Sequence, residues 1–333
     1  MSNVQRCDIL IIGAGLAGAS TAFHLKRLGV GDVVVLEKES DHGMHSSGRN
    51  AAMVRARVGD ADVEMFTRRG AEALQSGTHC EYRKTGSMLL GLGDDPVSDY
   101  FPLTKGKGLW CPEDGIVDPA GLLQTYLRGQ DVRYASPVMG WESVDGGFLV
   151  RTDSASFRSR VLVNAAGPWA GEIGELPLEP RNRHLYVTPS MDGIDASLPF
   201  VWDVVNGLYF RPEAGGLLLC ACDESVREPG DYLVDDSVEG LLAEKLQRHQ
   251  PRLAGISIKT KWTGQRVFAA DQKFVIGYDG RHRGLFHVAG LGGHGVTSSY
   301  AVGQFAADSI VREVTDERHP FAPSRLVDAP SVV

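Results

Sequence analysis

One short run, Gly13-Ala14-Gly15-Leu16-Ala17-Gly18, constrains the fold of this chain more than any other. It follows directly on Ile9 to Ile12, a β-branched and leucine run that reads as a buried strand. A helical pattern comes next, with Ala22, Leu25 and Leu28 on one face. Lys26 and Arg27 in its last turn complement the negative helix end, and Gly29 suits the residue after it. Asp32 to Leu36 reads as a second strand, which ends in Glu37. Strand, G-x-G-x-x-G turn, helix and strand within about thirty residues make the βαβ unit of a dinucleotide-binding fold. Such a turn sets a pyrophosphate against backbone N–H groups at a helix N-terminus, where the dipole favours the anion. Glu37 can accept hydrogen bonds from both ribose hydroxyls and would repel a 2′-phosphate, which disfavours NADP. The motif alone leaves FAD and NAD open, and a tight turn in some other α/β domain is the bland alternative.

The chain has 333 residues, 43% hydrophobic and 23% charged, enough to bury a sizeable core in about two domains. Lys and Arg total 34 against 42 Asp and Glu, for a net charge of -8, and no basic stripe is visible, so no nucleic-acid partner is expected. The five cysteines are scattered, which fits a reducing compartment and not a disulfide scaffold. No apolar run approaches the ~18 residues of a membrane helix. The apolar stretch from Ile9 to Ala19 is broken by glycines and lacks a cleavage site, so a cytoplasmic location is expected. Cys220-Ala-Cys222 puts two thiols on one strand face, but without two more ligands nearby no metal site is expected.

Three further segments separate FAD from NAD. His45-Ser46-Ser47-Gly48-Arg49-Asn50-Ala51-Ala52 follows the second strand closely. Val161 to Ala165 reads as a buried strand running into the small-residue turn Ala166-Gly167-Pro168-Trp169. Near the end, Trp262-Thr263-Gly264-Gln265-Arg266 leads to Leu285-Phe286-His287-Val288-Ala289, then Gly290-Leu291-Gly292-Gly293-His294-Gly295, then a helix to about Val314. In this order and spacing the segments resemble the D-amino-acid oxidase superfamily of FAD-dependent amine oxidoreductases, which includes glycine oxidase, sarcosine oxidase and bacterial D-amino-acid dehydrogenases. Ser40 to Ala52 resembles the D-arginine dehydrogenase type in particular.

The resemblance implies an α/β (α+β overall) fold class: a Rossmann-like FAD/NAD(P)-binding domain with an antiparallel-sheet substrate domain. The FAD domain is expected to be discontinuous, residues 1–75, 130–175 and 262–333, and the substrate domain to comprise 76–129 and 176–261. Phe148 to Thr152 and Phe157 to Val163 suggest an antiparallel meander. Gly86 to Leu90, Gly207 to Phe210 and Gly216 to Cys222 read as substrate-sheet strands, and Glu239 to His249 as a helix. The superfamily runs longer, and the shortfall falls between Leu92 and Pro119, where a lid would lie. That leaves a pocket open, or covered by a partner subunit or a second copy of the chain.

By resemblance, non-covalent FAD is held at Gly13, Gly15, Leu16, Ala17, Gly18, Glu37 and Lys38, then at His45, Ser46, Ser47, Arg49, Asn50, Ala51 and Ala52. Ala165, Gly167 and Trp169 follow, then Gly264 and Arg266, and last Gly290, Gly292, Gly293, His294, Gly295, Val296 and Thr297. Gly264 stands where sarcosine oxidases carry the cysteine bonded to flavin. A glycine loop at a helix N-terminus, placed at the flavin pyrimidine, would stabilise negative charge there. The flavin performs the hydride chemistry, so the protein's task is to position an unprotonated amine. Arg266 matches the family's carboxylate clamp, since guanidinium offers two parallel hydrogen bonds. Tyr209 could donate to the same carboxylate, Arg183 matches another arginine of the dehydrogenase type, and His294 sits inside the flavin loop. An ion pair, a half-buried strand tyrosine and loop geometry are their respective structural alternatives.

Met53, Val58 and Ser87 replace a histidine, a tyrosine and a side-chain-binding glutamate of the D-arginine type, while Arg55 and Arg57 add positive charge. A neutral or acidic substrate is expected over a basic one. The implied reaction oxidises the C–N bond of an amino acid or N-alkyl amino acid, the D enantiomer favoured, by hydride transfer to flavin N5. The resulting imine hydrolyses to an oxo acid. The electron acceptor is oxygen or a quinone; Leu218 replaces the lysine that helps oxygen react in sarcosine oxidases, which favours a dehydrogenase. The alternatives are an FAD-dependent 2-hydroxy-acid dehydrogenase with His294 as base, and a flavoprotein subunit of a larger amine dehydrogenase complex.

Overall fold

A strand that must be buried on both faces needs apolar residues without alternation, and Leu10 and Ile11 at the end of the first strand are wholly inaccessible. In the computed structural model, which describes residues 4–327, that strand, Val4–Ile12, lies at the centre of an eight-stranded sheet. Across the sheet the order is Val275–Tyr278, Leu285–Ala289, Ser156–Asn164, Val4–Ile12, Val33–Leu36 and Asp131–Arg133. The last five run parallel and the first is antiparallel. Val138–Val144 and Gly147–Thr152 form the antiparallel meander beside Ser156–Asn164.

One face of this sheet carries the helices Leu16–Arg27, Ala61–Gln75, Pro119–Leu127 and Gly295–Val311. Small residues set how closely they cross. A Cβ on Gly303 would stand 2.5 Å from the Ser20 backbone, and one on Gly70 would stand 2.0 Å from the Thr297 carbonyl oxygen.

The second sheet has seven strands, ordered Thr260–Phe268, Glu179–Val187, Gly216–Cys220, Leu208–Glu213, Phe200–Asp203, Ser87–Pro96 and Lys107–Cys111. All its pairings are antiparallel except Phe200–Asp203 with Ser87–Pro96, which are parallel. Side chains alternate between its faces. Met88, Tyr186, Phe210 and Leu219 pack on the helix Ser237–His249, while Leu185, Tyr209, Leu218 and Cys220 lie on the opposite face, packed with Met53 and Trp202. A small third sheet joins Met53–Val54, Gly115–Val117 and Tyr82–Arg83.

Two boundaries of the sequence-derived division change. Thr260–Phe268 belongs to the second sheet, because all nine of its residues pair along Glu179–Val187. Residues 117–127 belong with the dinucleotide core, because Leu122, Leu123 and Tyr126 need an apolar partner and find it in the layer around Leu16–Arg27. The Tyr126 hydroxyl reaches Ser299 Oγ at 3.2 Å in the same layer. Residues 1–3 and 328–333 of the division lie outside the described residues. In the stretch expected to lack a lid, Val97 and Phe101 turn onto the helix-bearing face of the second sheet, with Phe101 edge-on to Phe210 at 5.4 Å. That segment covers the back of the sheet and not the cleft.

Candidate active site

The glycine turn is built by close approach. Gly13 has φ +103° and a Cβ there would stand 2.5 Å from the Ala165 carbonyl oxygen. Gly18 does not line the cleft; a Cβ on it would stand 2.0 Å from the Gly13 carbonyl oxygen, so its hydrogen seats the helix on the turn. Gly15 caps the helix Leu16–Arg27 with no side-chain bond and no acid in the first turn. The Leu16 N–H donates to Ser47 Oγ at 2.9 Å. Both Glu37 oxygens accept backbone N–H groups, from Ala14 at 2.9 Å and Glu39 at 3.0 Å, so the carboxylate is fixed under the turn with lone pairs to spare.

Two hollows meet here, sharing Gly15, Ser46, Ser47, Ala165 and Gly167. The outer one is walled by Glu37, Lys38, His45 and Trp169. Lys38 Nζ lies 3.4 Å over the Trp169 ring, and His45 bridges Glu39 Oε1 at 2.8 Å and the Tyr232 hydroxyl at 2.9 Å. Burial holds His45 below the usual imidazole range.

The inner hollow takes Leu16, Ala17, Arg49, Asn50, Ala51 and Ala52 from one side. Asn50 Nδ2 donates to the Ser47 carbonyl at 2.7 Å and its Oδ1 accepts the Ala52 N–H at 2.8 Å. That clasp steadies Ala52 at φ +58°. Gly264, Gly290, Gly292, Gly293, Gly295, Val296 and Thr297 line the other side. A Cβ on Gly264 would stand 2.2 Å from the Arg49 carbonyl oxygen. His294 is the N-cap of Gly295–Val311, with no side-chain cap and no acid in the first turn. Burial, and then the charges of Arg55 and Arg266, lower its pKa to about 3, so it is neutral.

The two hollows fit FAD. Two helix N-termini without side-chain caps open onto them, which suits a pyrophosphate at one and an electron-rich ring at the other. Ser46 Oγ is buried without a hydrogen-bond partner among the described residues, a free group at the junction. Bound there, FAD would supply a hydride acceptor.

Beyond the flavin loop, Arg266 lies on Thr260–Phe268 against Gly293, where a Cβ would stand 3.2 Å from Arg266 Nε. Its Nη2 donates to the Tyr209 hydroxyl at 3.4 Å, and its Nη1 is buried without a partner among the described residues. Tyr209 does not line the cleft. It is wholly inaccessible behind Arg266 and Trp202, because its strand position faces the middle of the cluster. The sequence-derived role of donor to a substrate is therefore corrected to support of Arg266. Arg183 lines the cleft and pairs with Glu224 at 2.5 Å.

Trp202 was missed as a wall residue, and Arg55, expected only as added positive charge, joins it in the wall. Arg55 stands 4.0 Å over the Trp202 ring, and burial lowers its pKa to about 10. Its only sequence signal is a charge near the Ser46–Ala52 segment; Trp202 has none, since only strand register brings it there. Met53 lines the cleft, Val58 does not, and Ser87 is buried with its hydroxyl on Asp114 Oδ2 at 2.6 Å. Among the described residues no group of three or more His, Cys, Asp or Glu could hold a metal ion, and no helix is long and apolar enough to cross a membrane.

A parallel sheet with a glycine turn and two open helix ends defines a dinucleotide-binding fold, and the second sheet brings Arg183 and Arg266 to the same cleft. The chain belongs to the DAO family of FAD-dependent oxidoreductases, whose pattern it matches over residues 8–99 and 92–309. It is 24% identical to bovine (Bos taurus) FAD-dependent oxidoreductase domain-containing protein 1, over 97% of this chain and 85% of that one. It is 25% identical to mouse (Mus musculus) mitochondrial sarcosine dehydrogenase over 91% of this chain, but spans only 39% of that relative. Among solved structures it superposes on L-proline dehydrogenase from P. horikoshii with TM-score 0.84 at 20% identity, covering 97% of this chain and 98% of that one. Glycine oxidase from Geobacillus kaustophilus gives 0.81 at 22%, covering 97% and 99%.

Proposed function

We propose that this FAD-dependent enzyme oxidises the C–N bond of an amino acid or N-alkyl amino acid with a neutral or acidic side chain. The observation that carries the reading is Arg266, a guanidinium with one nitrogen on Tyr209 and another buried without a partner, set against the flavin loop. Such a group is completed by a carboxylate. A substrate anchored there presents its α-carbon to the ring that Gly290–Gly295 and the helix end would hold.

The protein's own part is positioning and control of protonation. No acid lines the inner hollow among the described residues. The arginines therefore disfavour an ammonium beside them and favour the free amine, the form that can lose hydride. Removal of hydride and the amine proton leaves an imine, which water converts to an oxo acid and ammonia or an amine. His294, lowered to about 3, is a poor base at neutral pH. A 2-hydroxy-acid substrate would need such a base, so the amine reading is preferred.

The sarcosine and L-proline dehydrogenases among the relatives and neighbours name substrates of the same class, amines that carry a carboxylate. D-amino acids remain the configuration suggested by the Ser40–Ala52 resemblance. FAD would be non-covalent, with Gly264 offering no thiol. A quinone is favoured over oxygen as acceptor, since Leu218 and not a lysine occupies that strand and no lysine lines the inner hollow among the described residues.

The test is the anaerobic visible spectrum of the purified holoprotein with D-, L- and N-methyl amino acids in turn. Bleaching of the flavin by one class identifies reaction and configuration together. A flavin that stays oxidised with all of them, yet bleaches with 2-hydroxy acids, overturns the proposal.

A further inference from the structure

Four arginines, Arg49, Arg55, Arg183 and Arg266, line the inner hollow, and among the described residues no aspartate or glutamate does. Arg49 lies toward the expected pyrophosphate, with Nε on the Met44 carbonyl at 3.0 Å and its guanidinium over Tyr232. Arg183 has the Glu224 carboxylate at 2.5 Å. Of the four, only Arg183 has a carboxylate in ion-pair range among the described residues; with Arg49 set toward the pyrophosphate, Arg55 and Arg266 are the two left without one on the substrate side. The charge of Asp114 acts on Arg55 but forms no ion pair with it: its Oδ2 accepts from Ser87 at 2.6 Å and its Oδ1 from the Ala56 N–H at 3.1 Å.

The two unpaired guanidinium groups stand at the ends of a rigid spacer. Arg55 lies 4.0 Å over Trp202. Trp202 is the register partner of Tyr209 on the next strand, with ring centroids 4.6 Å apart. The Tyr209 hydroxyl then meets Arg266 Nη2 at 3.4 Å. Arg55, Trp202, Tyr209 and Arg266 thus follow one another in a continuous row of contacts. Half-buried, unpaired charges in one hollow are costly, and two of them match a ligand that brings two anions.

We infer that the substrate of this site is an amino or N-alkyl amino dicarboxylate, with one carboxylate on Arg266 and the second on Arg55 over Trp202. The inference rests on the amine-oxidising reading for the first carboxylate and adds the second subsite. Arg55 in this role binds substrate and selects it.

The test uses two sets of probes on the oxidised holoprotein. Succinate, glutarate and thiodiacetate are titrated against acetate, propionate and methoxyacetate, and Kd is read from the shift of the visible flavin spectrum. Aspartate, glutamate (both enantiomers of each) and iminodiacetate are compared with alanine and sarcosine for anaerobic bleaching. The dicarboxylates should bind at least about 30-fold tighter, the size expected for one desolvated charge pair. Arg55→Gln should collapse that ratio toward one, and Arg55→Lys should restore part of it. Equal binding of the two sets overturns the second subsite, as does an Arg55→Gln variant that weakens both sets equally. Dicarboxylates that bind tightly while no amine bleaches the flavin would leave the subsite standing and sink the amine-oxidising reading.

Discussion

The Tyr209 hydroxyl accepts a hydrogen bond from Nη2 of Arg266 at 3.4 Å while the tyrosine itself is wholly inaccessible. The phenol therefore aims the guanidinium and does not touch what enters the cleft. Three of the four side chains that matter most here, Arg266, Tyr209 and Trp202, come from strands of one sheet. Their relation is set by ladder register and not by nearness in the chain.

Arg266→Ala should cost about 2–5 kcal/mol in kcat/KM, the usual effect of removing one member of a desolvated charge pair, with FAD still bound. Tyr209→Phe should cost less, about 1–3 kcal/mol, since it leaves an N–H unpaired and keeps the charge. Steady-state kinetics with a substrate that bleaches the flavin checks both. Full activity in Arg266→Ala would remove the clamp.

Glu37→Gln should weaken FAD binding about tenfold or more. Each carboxylate oxygen accepts a backbone N–H, from Ala14 and from Glu39. A glutamine must turn its NH2 toward one of them, a donor facing a donor, and the charge-assisted bonds to the ribose are lost with it. Recovery of flavin fluorescence on dilution gives the dissociation constant.

Acid precipitation should release all the flavin into the supernatant, as non-covalent attachment requires. Gly264→Cys should not create a covalent flavin. Its Cβ would fall 2.2 Å from the Arg49 carbonyl oxygen, so the change displaces the 45–52 loop before a thiol can reach the ring. The variant should lose FAD affinity and melt earlier. A fluorescent flavoprotein band on a denaturing gel would show the opposite.

His294→Asn should leave the acidic limb of the kcat/KM profile between pH 5 and 8 in place. With its pKa lowered to about 3, His294 does not titrate in that window. The limb should instead follow deprotonation of the substrate amine. If the limb moves by a unit or more in the variant, His294 is the base and the hydroxy-acid alternative regains its footing.

His24 makes the complementary prediction for stability. Burial lowers its pKa to about 4 from 6.5, and its Nε2 has no partner among the described residues. Between those two values the unfolded chain binds a proton that the folded chain refuses. The stabilisation is complete above about pH 6.5 and is lost as pH falls toward 4, at up to ~1.4 kcal/mol per unit. His24→Leu should flatten the denaturant-midpoint slope over that window by this amount, whatever it does to stability at neutral pH.

Some of this site is written locally in the chain. Gly13, Gly15, Glu37, the 45–52 loop and Gly290 to Gly295 are each explained by what sits beside them in sequence: a strand before, a helix after, a backbone that only glycine lets approach. Turn chemistry and helix-end dipoles are short-range, so a single sequence specifies them. Other features depend on residues far apart. Nothing in Phe200-Val201-Trp202-Asp203 announces that Trp202 will carry Arg55 on one side and Tyr209 on the other. Ser87 signals the loss of an acid, yet the fold returns Asp114 to the same hydroxyl from 27 residues away. The placement of Thr260–Phe268 was decided by its ladder with Glu179–Val187, and that of 117–127 by the apolar layer that its buried face joins. Local geometry determined where a dinucleotide would lie. Strand register and burial, which the chain settles only when it closes on itself, decided which charges face the substrate and which are cancelled.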